Sequence, residues 1–123
     1  MSLNVLAVDD SRTMRDMVKL SLSAAGMSVT VAEDGVDGLR VLDEMETMPD
    51  AIISDINMPR LDGFGFIEAV RKIDHLRAVP ILVLTTESAP ELKARARNAG
   101  ATGWIVKPFD PQKLVKTLQM VTG

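Results

Sequence analysis

Five polar residues of this chain stand where apolar runs end. Asp9 and Asp10 follow residues 3–8, Asp55 closes the run from Ala51, Thr85 follows residues 80–84, and Lys107 follows residues 102–106. Asp55 is the centre of the set. The stretch around it reads Ala-Ile-Ile-Ser-Asp-Ile-Asn-Met-Pro, a short apolar strand, one carboxylate, and a proline four residues on. Three carboxylates held close together repel, and they stay ionised together only when a cation joins them. Oxygen ligands with no sulfur or imidazole nearby favour a small hard ion such as Mg²⁺. A carboxylate on that ion, beside an ammonium and a hydroxyl, suits a phosphoryl group in transfer. Metal and ammonium neutralise its equatorial oxygens while the carboxylate attacks in line. The product is an aspartyl phosphate. Taken singly, the acids read as solvated loop openers, the threonine as a helix-entry residue and the lysine as a surface charge. The set means more only if the strands run parallel, so that their carboxyl ends share one edge.

The rest of the chain predicts that arrangement. Residues 3–8 and 28–32 read as strands, and between them Met14, Met17, Val18, Leu22 and Ala25 recur at helical spacing. Ser11 suits the start of that helix and Gly26 its end. Glu33-Asp34-Gly35 turns the chain into a second helix marked by Val36, Leu39, Leu42 and Met45, and Pro49 closes the following loop. After Asp55, Asp62-Gly63 begins a third helix carrying Phe66, Ile67, Val70 and Ile73. The fourth strand comes next. Ser88-Ala-Pro-Glu91 reads as a capping box with proline in the first turn, and Gly100 as a left-handed stop. Asp110-Pro111 caps a last helix with Leu114, Val115, Leu118 and Val121. Strand and helix alternate five times, which predicts a parallel sheet covered on both faces, with right-handed crossovers. Residues 1–123 read as one domain, without linker, repeat or low-complexity segment.

Composition narrows the function. The 123 residues are 46% hydrophobic and 25% charged, the balance of a globular domain. A net charge of −3 argues against a dedicated binder of nucleic acid or anionic membrane. No cysteine is present, so thiolate chemistry, disulfides and zinc–thiolate sites are excluded. Aromatic residues are 3%, with one tryptophan and no tyrosine, too few for a platform that stacks bases or a flavin. The N-terminal stretch has no signal-peptide pattern, and no apolar run approaches the roughly 20 residues of a spanning helix. A cytoplasmic location is expected.

Asp9-Asp10, Asp55-Ile-Asn-Met-Pro59, Asp62-Gly63, Thr85 and Lys107-Pro108-Phe109 together resemble the receiver domain of two-component response regulators, most of all its stand-alone chemotaxis members of the CheY type. The resemblance spans the full chain and rests on five separated elements in order. It implies a flavodoxin-like three-layer α/β/α sandwich with five parallel strands in the order 2-1-3-4-5 and five helices. It implies that Asp55 is the phosphoacceptor and that Asp10, Asp55 and the Asn57 backbone carbonyl ligate Mg²⁺, with Asp9 acting through water. Lys107 binds phosphoryl oxygens, and its bond to Pro108 is cis, which aims the lysine. Thr85 moves to hydrogen-bond the phosphoryl group, and Trp104 holds the place of an aromatic switch that turns inward in response. Asn57 and Glu87 occupy positions that tune dephosphorylation, and their types match CheY and imply a short-lived phosphate. Three residues depart from the family's usual pattern. Thr86 is bulkier than the small residue common there and is expected to slow entry of phosphodonors. Trp104 replaces a smaller ring, which restricts inward rotation. Ile56 leaves no tryptophan beside the metal.

The resemblance also implies a switch rather than an enzyme: self-phosphorylation with Mg²⁺, and autodephosphorylation. The chain ends at Gly123, directly after the last helix, so signalling is expected through protein contact by a monomer. A chemotaxis-type histidine kinase is the implied donor and the flagellar motor switch the implied target. The alternative role is a phosphate sink or relay intermediate. Lys93, Arg95 and Arg97 on the fourth helix, with Lys113 and Lys116 on the fifth, are expected to form a basic face beside Trp104. His75, the single histidine, reads as a surface residue. A phosphatase of the haloacid-dehalogenase type is disfavoured, because it needs a second acid two residues after its nucleophile, and residue 11 is serine. A flavodoxin-like cofactor module is disfavoured because Asp9-Asp10 would repel its phosphate.

Overall fold

The computed structural model describes residues 3–123, so the first two residues of the N-terminal stretch lie outside it. The elements are β1 (Asn4–Val8), α1 (Arg12–Ala24), β2 (Ser28–Ala32), α2 (Gly35–Glu44), β3 (Ala51–Ser54), α3 (Gly63–Arg71), a 3-10 turn at Asp74–Leu76, β4 (Ile81–Thr85), α4 (Pro90–Ala99), β5 (Gly103–Val106) and α5 (Pro111–Thr122). All strand pairings are parallel, and the order across the sheet is β2-β1-β3-β4-β5. This is the expected flavodoxin-like sandwich.

The apolar character of β1, β3 and β4 follows from their central position. Strands covered by helices on both sides have no solvent face, so their residues are apolar on both. Successive side chains alternate between two cores. Leu6, Val8, Ile52, Ile81 and Val83 face α2, α3 and α4, where Val41, Phe66, Ile67, Val70 and Ala96 meet them. Val5, Ala7, Ile53, Leu82 and Leu84 face α1 and α5, against Val18, Leu22, Leu114 and Leu118. Among the described residues, no helix is long and apolar enough to cross a membrane.

Most helix ends lie where the sequence places them. The Ser11 hydroxyl accepts from the Met14 N–H, Asp62 caps α3, Asp110 caps α5, and Gly100 ends α4 at a φ of 118°. The capping box at Ser88 does not form. Ala89 holds the cap position of α4, extended at φ −63° and ψ 131°, and makes no side-chain cap bond. Pro90 explains the shift. A proline disfavours helical backbone in the residue before it and fits best at the first helical position, so the helix starts one residue later than the box requires. Asp34 is more than a turn residue, because its carboxylate accepts the Asp37 N–H and caps α2. Met17 and Val36 lie outside the buried stripes, at 46% and 42% exposure. A 3-10 turn with no periodic signal in the sequence follows α3, and His75 within it is exposed.

The start of α3 is pressed against the end of β3. The Gly63 N–H donates to the Ile56 carbonyl at 2.8 Å, and a methyl group at Gly63 would collide with the Asp55 carbonyl oxygen and the Ile56 Cα. Backbone cannot yield there as a flexible side chain would. Gly63→Ala is therefore expected to destabilise the protein by about 1–3 kcal/mol, the usual cost of overpacking. Urea unfolding of the variant beside wild type measures it, and an unchanged midpoint would refute the close approach.

Candidate functional site

The carboxyl edge of the sheet builds the site one residue beyond β1, β3 and β5 and at the last residue of β4. The Asp9 N–H donates to the Ala32 carbonyl at 3.1 Å, the Asp55 N–H to the Val8 carbonyl at 2.9 Å, and the Lys107 N–H to the Thr85 carbonyl at 2.7 Å. Asp9, Asp55 and Lys107 thus remain in the sheet's hydrogen-bond ladder through their backbone, while their side chains project beyond the strand ends. Their positions inherit the rigidity of the sheet.

Lys107 joins the set. Its Nζ lies 2.8 Å from Asp9 Oδ2 and 2.9 Å from Asp55 Oδ2, and all three side chains are at least nine-tenths buried. The other Asp55 oxygen accepts the Ile56 N–H at 2.6 Å, and Asp9 Oδ1 accepts the Ser11 N–H at 2.9 Å. Arg15 reaches back from α1 to the Asp9 carbonyl at 2.7 Å and fixes the β1–α1 loop. Asp10 is exposed at the mouth of the site. Asp9, Asp10 and Asp55 each offer a carboxylate oxygen within 4.8 Å of the others. An all-oxygen donor set with one open side fits Mg²⁺ and not a thiophilic metal. The Lys107–Pro108 peptide is cis, as the resemblance implied.

Electrostatics follow from burial. Burial lifts the Asp9 carboxyl above its usual range, and its hydrogen bonds from Lys107 and the Ser11 N–H offset this only in part. Burial works against the Lys107 ammonium as well. There the bonds to Asp9 and Asp55 prevail and raise its pKa above the usual 10.5.

Thr85 is fully buried. Its hydroxyl accepts a long bond of 3.3 Å from the Glu87 N–H. Glu87 is a junction. Its carboxylate accepts from the Asn57 amide at 3.1 Å, and its carbonyl accepts the Trp104 indole N–H at 3.0 Å. Asn57 and Trp104, the residues expected to tune dephosphorylation and to switch, therefore both bond to Glu87, two residues beyond Thr85. Thr86 is exposed. Trp104 is half-buried and packs toward the α3–α4 core rather than toward the last helix.

The basic face is split. Lys93 and Arg97 line a groove of about 90 Å³ with Trp104, Ala101, Thr102 and Gly103. Arg95 turns the other way and stacks over the Phe64 ring at 4.0 Å. Lys113 and Lys116 are exposed on α5. Spacing did not reveal Arg15 or the pair formed by Asp34 and Arg60. Contacts that leave no periodic trace carry no local signal.

Comparison with known proteins agrees with this geometry. Residues 5–119 match the family described as response regulator receiver domain. The chain is 38% identical over 122 residues to the chemotaxis protein CheY1 of Helicobacter pylori, covering 98% of each. It is 33% identical over 115 residues to the sensor histidine kinase CheAY of the same organism, of which it spans only 14%. The solved structure of the chemotaxis response regulator CheY4 of Vibrio cholerae superposes with a TM-score of 0.91 at 48% identity, covering 98% of this chain and 99% of that one. The receiver domain of sensor histidine kinase PA1611 from Pseudomonas aeruginosa, with magnesium coordinated in its active-site cleft, gives 0.90 at 28% identity, covering 100% and 99%.

Lys107 sets a pH dependence. The native state holds the Lys107 proton more tightly than the unfolded chain does. The stability it contributes is complete below pH 10.5 and is lost as pH rises through the higher native value. Lys107→Met, which leaves two buried carboxylates without a cation, is expected to cost about 3 kcal/mol at pH 7 without metal and to lack the alkaline decline. Urea unfolding from pH 7 to 12 tests this; parallel curves for the two proteins would contradict it.

Proposed function

This chain belongs to the response regulator receiver domain family, and on that footing we propose that it is a phosphorylation switch with Asp55 as phosphoacceptor. The observation that carries the reading is the ammonium of Lys107 shared between Asp55 and Asp9, with Asp10 close by. Asp10, Asp55 and the Asn57 carbonyl would hold Mg²⁺, with Asp9 bridged to it through water. The bound ion supplies charge neutralisation for the transferring phosphoryl group.

The chain's own residues supply the rest. A carboxylate oxygen of Asp55 forms a bond to phosphorus as the bond from phosphorus to the donor's nitrogen or oxygen breaks. The donor's leaving group departs, and an acyl phosphate remains. Lys107 then trades its contact with Asp55 for a phosphoryl oxygen. Phosphorylation adds about −1.5 to −2 charges and strong acceptor oxygens. The Thr85 hydroxyl has only a 3.3 Å bond to the Glu87 N–H to give up. Its rotation toward the phosphoryl group frees that N–H and disturbs Glu87. Trp104, bound to the Glu87 carbonyl, registers the change. Residues 86–89, α4 and β5 form the element with two arrangements. Asn57 and Glu87 at the mouth tune water access and hydrolysis, and Thr86 slows entry of donors.

The cellular role is drawn from similarity to CheY1 and CheY4. The donor is a chemotaxis histidine kinase, and the target is the flagellar motor switch, met by a monomer in the cytoplasm. The groove of Lys93, Arg97 and Trp104 suits an acidic or amphipathic peptide. A second role, as phosphate sink or relay, is favoured by the similarity to receivers that belong to histidine kinases. Binding of the phosphorylated protein to a motor-switch peptide separates the two.

Incubation with acetyl phosphate is expected to add one phosphate by intact mass, only with Mg²⁺, and not in Asp55→Asn. Trp104 is the single tryptophan, so its fluorescence should change over the same time course. An unmodified wild-type protein under both acetyl phosphate and a histidine kinase would refute the proposal.

A further inference from the structure

Arg60 is the only described residue other than glycine with a positive φ, at 66°. The Leu61 N–H donates to the Pro59 carbonyl at 2.7 Å, so Arg60 is the centre of a three-residue turn of the rarer, strained hand. An arginine gains nothing from that conformation, and strain of this kind persists only where the surroundings hold it. Here the side chain does so. Arg60 Nε donates to Asp34 Oδ2 at 2.7 Å, and its Nη2 donates to Oδ1 at 3.1 Å. Asp34 is 4% exposed and Arg60 54%. The pair is a two-pronged fork, the geometry that distinguishes arginine from lysine.

The partners are placed to matter. Asp34 follows β2, and its Oδ1 also caps α2 through the Asp37 N–H at 2.8 Å. Beside the fork, the Gly35 N–H donates to the Leu61 carbonyl at 3.1 Å, and a Cβ at Gly35 would lie 2.5 Å from that oxygen. The loop after Asp55 is thus seated on the start of α2. Its other end is pinned where Gly63 bonds to Ile56. Asn57, Pro59 and Arg60 between these points are exposed, while Met58 and Leu61 pack on the core.

We propose that the Asp34–Arg60 fork is a positioning device for the metal site, which holds the tight turn at Arg60 and through it keeps the Asn57 carbonyl in register with Asp10 and Asp55. The inference rests on the reading that this cluster takes Mg²⁺. Asp34 and Arg60 touch neither ion nor phosphate. They act through four residues of backbone.

Three variants separate the fork from its surroundings. Asp34→Asn keeps the cap on α2, since asparagine caps as well as aspartate, but removes the charge. Arg60→Ala removes the fork and leaves the strained turn. Arg60→Gly removes the fork and relieves the turn, which protects folding. Calorimetric titration with MgCl₂ is expected to show affinity weakened about tenfold in all three, as for the loss of an outer partner of a metal ligand. Melting temperature without metal is recorded in parallel. A lowered melting temperature with unchanged Mg²⁺ affinity would reduce the pair to a fold-stabilising contact and overturn the proposal. Wild-type affinity in Arg60→Gly would also overturn it, because the turn alone would then suffice. Failure of the wild-type protein to bind Mg²⁺, with Asp10→Asn indistinguishable from it, would instead remove the metal reading and the inference with it.

Discussion

Two carboxylates and one ammonium, all buried at the ends of strands, set the conditions under which the rest of this molecule operates. Asp9 and Asp55 sit on adjacent parallel strands, and nothing in the packing lets them separate. Like charges at that range are tolerable only with a cation between them, and Lys107 Nζ stands within 2.9 Å of both. The arrangement balances charge without being inert. The lysine can exchange one acceptor oxygen for another of equal or greater charge, and a phosphoryl group is such an acceptor. A site already neutralised by its own lysine needs no large rearrangement to receive it.

From that point the path outward is short. Thr85 belongs to the same strand that pairs with β5, and Glu87 two residues on connects by separate bonds to Thr85, Asn57 and Trp104. A disturbance at Thr85 reaches the surface through one residue and two hydrogen bonds. Bonds that share a residue are not independent, so a change in one alters the geometry of the others. The indole ring makes the last of these bonds through Nε1, a donor that a phenylalanine lacks.

Much of this was legible in the sequence because the site is simple in sequence terms. Asp9, Asp55, Thr85 and Lys107 each close an apolar run, and parallel strands bring such positions to one edge. What stayed hidden depends on partners far along the chain. Arg60 and Asp34 are 26 residues apart, and neither has a local feature that names the other. Arg71 is the same case. It bonds the carbonyls of Leu76, Val79 and Gly100 and so ties the end of α3 to the end of α4, yet in sequence it is an ordinary helical arginine. The start of α4 departs from its sequence pattern for a different reason. Two local signals, a serine three before a glutamate and a proline in the first turn, ask for starts one residue apart. The proline prevails, because its ring restricts the preceding backbone sterically, whereas a serine cap contributes only one hydrogen bond.

That same frame shift bears on the proposed switch. α4 buries only Ala96 fully, less than any other helix. Leu92 also packs on the core, and further anchors lie in the second half of the helix: Arg95 over Phe64, Gly100 in its left-handed turn, and the Arg71 bond to the Gly100 carbonyl. Its first turn has no side-chain cap and adjoins residues 86–89, the segment that Thr85 would disturb. Local stability follows buried apolar contact and satisfied backbone, and the first turn has no fully buried residue and no side-chain cap. A displacement that begins at Thr85 therefore meets least resistance toward the start of α4 and meets its firmest anchors at the far end.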